Sequence, residues 1–218
     1  MAMYDAMLAH FGPQGWWPGE GSLEICVGAI LTQNTNWGNV ERAIANLRAE
    51  GAMDVAAMLD RPVNELAELI RPAGYFNVKA RRLRCFIQAV ADESDGDIVT
   101  FLTAPSAETL REKLLAIHGI GPETADSMTL YAAGLATFVV DAYTMRIGQR
   151  HGLFPERTTY EDVRELFQRS LPTDVPLWNE YHALLVATGK HFCKPTPRCE
   201  GCPLVRFPRP GVDCKSRN

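Results

Sequence analysis

No stretch of this chain approaches the roughly 18–20 unbroken apolar residues that a membrane helix needs, although 46% of its 218 residues are hydrophobic. Nor does the N-terminus join a basic segment to an apolar one and a small-residue cleavage site, so no signal peptide is expected and a cytoplasmic protein fits best. Alternating polar and apolar runs are nearly absent, which argues against a β-sandwich or barrel. An excess of positive charge is missing too: 22 Lys and Arg stand against 26 Asp and Glu, a net −4. That balance gives no reason to expect a nucleic-acid partner, although an average can hide a polarised surface. Residues 190–218 hold seven Lys or Arg against Glu200 and Asp213, and Lys79, Arg81, Arg82 and Arg84 follow a turn at 74–77. Each cluster reads equally well as a solvated face, so charge alone decides nothing.

What is present is helical. The run 23–31 is apolar on every side, as in a helix at the centre of a helical domain. Val40, Ile44 and Leu47 recur at helical spacing, followed by Val63, Leu66, Leu69 and Ile70. Leu83, Phe86, Ile87 and Val90 form the next stripe, and Leu110, Leu114 and Ile117 another. Gly51, Pro62, Pro72, Gly74, Gly96 and Pro105 punctuate these segments. Thr159 with Asp162 predicts a capping pair for a helix bearing Val163, Leu166 and Phe167. Trp178, Tyr181, Leu184 and Leu185 mark the last long helix. Beyond Pro195 the chain is rich in proline, cysteine and charge, and leaves no room for a long element.

Of six cysteines, Cys26 and Cys85 sit among apolar neighbours and read as small buried hydrophobes. Cys193, Cys199, Cys202 and Cys214 follow C-x5-C-x2-C-x11-C. In a reducing compartment such crowding favours metal over disulfides. Four thiolates suit either a [4Fe–4S] cluster or tetrahedral zinc, and spacing alone does not separate them.

Between two helical stretches lies His118-Gly119-Ile120-Gly121-Pro122. Glycines permit a sharp turn and a close backbone approach, and Pro122 suits the first position of the following helix. Unpaired N–H groups at that helix start attract an anion, so the turn can hold a phosphate without reading a base. An ordinary turn between two helices contains glycine as well. The longer string from Leu115 to Ala125, Leu-x-x-His-Gly-Ile-Gly-Pro-x-Thr-Ala, resembles the helix–hairpin–helix of the endonuclease III superfamily of DNA glycosylases. Ile-Leu-Thr-Gln-Asn-Thr from Ile30 to Thr35 is similar to that family's duplex-inserting segment, and Val139-Val140-Asp141 falls where its catalytic aspartate lies.

The resemblance spans about Leu23 to Cys214 and implies an all-α fold of two helical lobes with a DNA-binding cleft between them. One lobe would cover 23–134, six helices ending in the hairpin; the other would join 1–22 to 135–218 and carry a cluster loop at 193–214. It implies catalysis by Asp141, which as a bare sequence feature is also a good helix N-cap. Bifunctional members place a lysine where this chain has Glu123, and a carboxylate cannot form a Schiff base. Hydrolysis by water follows, leaving an abasic site. The terminal cysteines resemble the family's [4Fe–4S] loop, with a longer last interval before Cys214. Lys194, Arg198, Arg206 and Arg209 become candidates for phosphate contact.

A second resemblance narrows the substrate. Gly-Trp-Trp-Pro at 15–18, followed by Leu-Thr-Gln-Asn-Thr, looks like the monofunctional 3-methyladenine DNA glycosylase branch. By that pattern Trp16, Trp17, Trp37 and Lys190 line the base pocket, and Gln33 or Asn34 fills the gap left in the duplex. Core packing is the competing explanation of the tryptophans. Aromatic rings favour a cationic alkylated purine, but Lys190 is awkward for one unless neutralised or modified. The implied partner is double-stranded DNA carrying a damaged base, met by a monomer in a bacterial or archaeal nucleoid. Two alternatives stay open: a glycosylase for oxidised or mismatched bases, with lyase activity through another amine such as Lys190, and a catalytically silent iron–sulfur protein that binds damage.

Overall fold

The apolar run after Trp17 forms helix α2 (Gly21–Leu31), in which Glu24 and every residue from Cys26 to Leu31 are buried. Amphipathic helices surround it because each has one apolar stripe to hide. They are α3 (Trp37–Ala49), α4 (Val55–Asp60), α5 (Val63–Leu69) and the long α6 (Phe76–Ser94). Then come α7 (Ile98–Leu102), α8 (Ala107–Leu115) and α9 (Pro122–Ser127), the last running on as a π-helical turn, Met128–Ala132. The stripes read from the sequence supply this core: Val40, Ile44, Leu47, Leu66, Ile70, Leu83, Phe86, Ile87, Val90, Leu110 and Leu114 are all buried. Cys26 is buried as expected, whereas Cys85 is only half-buried.

A second unit combines α1 (Ala2–Phe11) with α10 (Ala142–Arg150), α11 (Tyr160–Ser170) and α12 (Val175–His191). Phe138 stacks on Phe167 with ring centroids 4.2 Å apart, and Trp178 and Tyr181 close edge-on around Phe138. Thr159 and Asp162 make the reciprocal capping box at the start of α11. The computed structural model describes residues 1–208, and among them there is no β-strand. The described residues divide into these two units, 17–135 in one and 1–16 with 136–208 in the other.

The basic cluster after Gly74 departs from a solvated face. Lys79 on α6 is only 1% exposed, and its Nζ donates to the carbonyls of Leu31 and Ala73, each at 2.8 Å. Helix ends leave carbonyls without intrahelical partners, and here a lysine stem threads the core to reach two of them. Arg84 likewise donates to the carbonyls of Leu59 and Arg61.

Burial, with help from Arg82, pulls the Lys79 pKa from 10.5 down to about 8. A neutral amine still has two N–H groups for two carbonyls. The unfolded chain keeps this proton up to about 10.5, whereas the folded chain releases it near 8. The unfolded state therefore binds more protons within that window, and the Lys79 contribution to stability rises with pH across it. Denaturant unfolding of wild type and Lys79→Met should show the gap moving in favour of wild type between about pH 8 and 10.5. A gap that stays flat would contradict the buried, destabilised charge.

Candidate active site

The hairpin lies in the 17–135 unit. Ile120 is 6% exposed and anchors the turn in the core, while His118 is exposed. Gly119 adopts φ +93°, a conformation that favours glycine. Gly121 is the N-cap of α9 and Pro122 its first residue. Glu123 is exposed in the first turn, where a carboxylate suits the helix dipole, and its backbone carbonyl accepts from Ser127 Oγ at 2.7 Å.

Gln33 and Asn34 follow α2 in the same unit, but their side chains behave differently. The Gln33 amide is turned onto the hairpin, donating to Gly119 O at 3.2 Å and Thr124 Oγ1 at 3.0 Å. Asn34 is exposed, with φ +54°. Trp17 and Trp37 meet edge to face at 5.1 Å, and the Trp17 ring lies 5.2 Å from that of Tyr131. Both indoles rest on Gly28, where a Cβ would lie 3.3 Å from Trp17 and 3.5 Å from Trp37. Trp37 Nε1 donates to Glu41 at 2.8 Å.

Asp141 belongs to the other unit, where it caps α10. Its Oδ1 accepts from Thr144 N at 2.7 Å and from Thr144 Oγ1 at 2.9 Å. Its Oδ2 lies 3.7 Å from Nε2 of His182, and 12% of the side chain stays exposed. Burial holds the His182 pKa below the usual imidazole value, and the Asp141 charge opposes that shift only in part. The imidazole is therefore neutral near pH 7 and leaves the carboxylate its charge. His182 carries no sequence signal of function; a lone histidine in an apolar helix reads as core. Trp16 and Lys190 come together in this unit, with Nζ 5.6 Å from the ring centroid.

Cys193, Cys199 and Cys202 line one cavity with Thr188, Arg150 and Arg198. Nη1 of Arg150 approaches Cys193 Sγ at 3.2 Å, and the buried Thr188 hydroxyl has no hydrogen-bond partner among the described residues. No three His, Cys, Asp or Glu side chains among the described residues are gathered tightly enough to hold one metal ion. Cys214 and Arg209 lie outside the described residues. Lys194 is half-buried, and Arg198 and Arg206 are exposed.

One exposed group escaped the sequence reading. Tyr75 precedes α6 with φ +46° and 72% of its surface in solvent. Holding a bulky residue in that region is unfavourable, and such backbone outliers cluster at functional sites.

The sequence profile described as HhH-GPD superfamily base excision DNA repair protein matches residues 27–173. The chain belongs to the HhH-GPD superfamily. Among relatives, the Methanocaldococcus jannaschii protein named "Putative DNA repair glycosylase MJ1434" is 43% identical over 205 residues, covering 94% of this chain and 93% of that one. Endonuclease III of Thermotoga maritima is 27% identical over 181 residues, 83% of this chain and 79% of the relative. Of solved structures, a non-covalent endonuclease III–DNA complex superposes with TM-score 0.81 at 22% identity, over 94% of this chain and 92% of that one. The H. pylori 3-methyladenine DNA glycosylase MagIII, bound to 1,N6-ethenoadenine, gives 0.73 at 24% identity, over 87% and 98%. At those identities the structural likenesses speak for the fold. Family and fold together make this chain an endonuclease III-like HhH-GPD glycosylase of base-excision repair.

Proposed function

We propose that this HhH-GPD protein is a monofunctional DNA N-glycosylase that hydrolyses the glycosidic bond of an alkylated purine, such as 3-methyladenine, in double-stranded DNA. The observation that carries the reading is Asp141: its Oδ1 is fixed by the start of α10 and its Oδ2 is turned away from that cap. As the base leaves with the bonding electron pair, positive charge builds on the deoxyribose. A carboxylate held in place stabilises that charge, and water adding to the sugar carbon gives its proton to the carboxylate. With Glu123 at the position of the family's lysine, the product is an abasic site.

Trp16, Trp17, Trp37 and Lys190 would receive the base after it leaves the stack. Cationic alkylpurines gain from aromatic faces and are good leaving groups, so no amine nucleophile is needed. Gln33 or Asn34 would fill the vacated space, the Gln33 amide being already turned onto the hairpin. The exposed Tyr75 ring offers a further face on which a base can stack. The hairpin 118–121 would hold a phosphate through backbone N–H groups.

The terminal cysteines fit a [4Fe–4S] cluster by their donor chemistry. Three cysteine side chains line one cavity, the thiols of Cys193 and Cys202 among them, beside a buried hydroxyl with no hydrogen-bond partner among the described residues, and Arg150 stands ready to offset thiolate charge. When bound, the cluster would tie the loop together and hold its basic residues towards DNA. Protein isolated without oxygen should contain iron and acid-labile sulfide in equal amounts, and Cys193→Ser should lose both. Stoichiometric zinc would overturn the cluster.

One assay tests the activity. Duplexes carrying 3-methyladenine, 7-methylguanine, thymine glycol, uracil or a G·T mismatch are incubated with the protein, then treated with or without alkali. Strand breaks that need alkali, on the alkylated duplexes alone, are the expected result. Breaks without alkali would mean a lyase using another amine, Lys190 being the one beside Trp16. Tight binding without base release would mean a silent damage-binding protein.

A further inference from the structure

Lys79 holds the chain on both sides of the exposed Tyr75. Its Nζ donates to the carbonyl of buried Ala73, and its backbone N–H donates to Tyr75 O at 3.0 Å, as does that of Val78. Between those two carbonyls stand Gly74 at φ +69° and Tyr75 at φ +46°, two left-handed residues in succession. Glycine takes that conformation freely, whereas a tyrosine keeps it only where its surroundings over-determine it. Lys79 supplies the constraint. An ammonium buried without partners is strongly disfavoured, so an Nζ reached by almost no water is bound to its carbonyls. Its other acceptor, Leu31 O at 2.8 Å, is the last residue of α2. The turn is thereby fastened to the central helix of the 17–135 unit as well as to α6.

We infer that Lys79 is a positioning residue for DNA binding: its ammonium and its backbone N–H clamp the turn at 73–75, so that the Tyr75 ring is presented to solvent as a fixed face for a base. The inference rests on the reading of Tyr75 as a stacking surface. A ring held in place beforehand loses less freedom when a base lies against it, and affinity gains by that amount. An apolar side chain could fill the same channel, but it could not align the carbonyls. Hydrogen bonds from a charged donor are also stronger than neutral ones, which suits a turn held against the preference of its own residue.

The test compares Lys79→Met, Tyr75→Ala and the double variant with wild type. Methionine fills the channel of the lysine stem and offers no donor. In DNA-free protein, exchange of backbone amides 74–79 should quicken about tenfold in Lys79→Met, the scale set by losing such a bond. On undamaged duplex, Tyr75→Ala should weaken binding roughly tenfold, the scale of one stacked base. Lys79→Met should weaken it about threefold, the scale of one newly mobile side chain. The double variant should bind no more weakly than Tyr75→Ala alone, because Lys79 acts through that ring. Losses that multiply overturn the inference, as does Lys79→Met binding at wild-type strength. Wild type alone supplies a further measurement that does not depend on the folding of Lys79→Met. Its Val78 and Lys79 amides should be protected nearly as well as the interior of α6, and exchange as fast as a frayed helix start overturns the clamp. Quickened exchange in Lys79→Met with Tyr75→Ala binding as wild type keeps the clamp and overturns the stacking role of Tyr75, so the two failures are distinguishable.

Discussion

Asp141→Asn is expected to lower base release by about a hundredfold to a thousandfold, the scale seen when one preorganised electrostatic group is removed from an active site. Stability and DNA affinity should hardly change. Asparagine caps a helix about as well as aspartate, and its side-chain oxygen can still accept from Thr144 N and Thr144 Oγ1 as Oδ1 does now. The substitution deletes the negative charge, which the proposed mechanism sets against the sugar cation. Neutral His182, 3.7 Å from Oδ2, does not cancel that charge in the wild type, so its loss is felt in full. Asp141→Ala is the contrasting control: it loses the charge and also the cap, at a stability cost of about 1 kcal/mol. Single-turnover release from an alkylated duplex, measured beside Tm and Kd, separates the two effects. An Asp141→Asn protein that works at the wild-type rate would remove the catalytic assignment.

The helices were legible because their information is periodic and local. The stripes at 40–47, 83–90 and 110–114 each name buried faces, and Thr159 with Asp162 names a helix start, since both depend only on neighbours along the chain. Asp141 was legible twice, as a cap from its local context and as a catalytic candidate from its resemblance to a family. Side chains whose partners lie far away in sequence could not be read in that way. Lys79 belongs to a run of four basic residues and looks like surface, yet the carbonyls that bury it come from Leu31 and Ala73. Gln33 is one of two candidates to fill the gap in the duplex, and nothing near it in sequence announces its contacts with Gly119, Thr124 and Arg82. His182 was passed over for the opposite reason: its apolar surroundings are visible, and the carboxylate it faces lies 41 positions upstream at Asp141. Tyr75 was missed because a backbone held at positive φ leaves no mark in composition.

Removing the carboxylate of Asp126 should destabilise the fold by about 3–5 kcal/mol, the range for breaking a buried ion pair from one side. Arg111 on α8 donates from Nε to Asp126 Oδ1 on α9 at 2.9 Å, with 9% of the arginine side chain and none of the aspartate exposed. The pair therefore bridges the two helices that flank the hairpin. An Asp126→Leu chain would keep the guanidinium in a low-dielectric interior without this carboxylate, where an ion is strongly disfavoured. For a protein of this size the loss corresponds to a fall in Tm of roughly 10 °C. Arg111→Met combined with Asp126→Leu should recover most of it, because replacing both ions with apolar groups of similar volume removes the desolvated charge along with the attraction. That reversal of sign separates a buried ion pair from mere loss of packing, for which the second substitution would deepen the damage. If the double variant melts lower than Asp126→Leu alone, the pair does not act as a desolvated bridge. If it melts near wild type but binds undamaged duplex more weakly, the pair's main contribution lies in aligning α8 and α9 so that the turn between them can meet a phosphate.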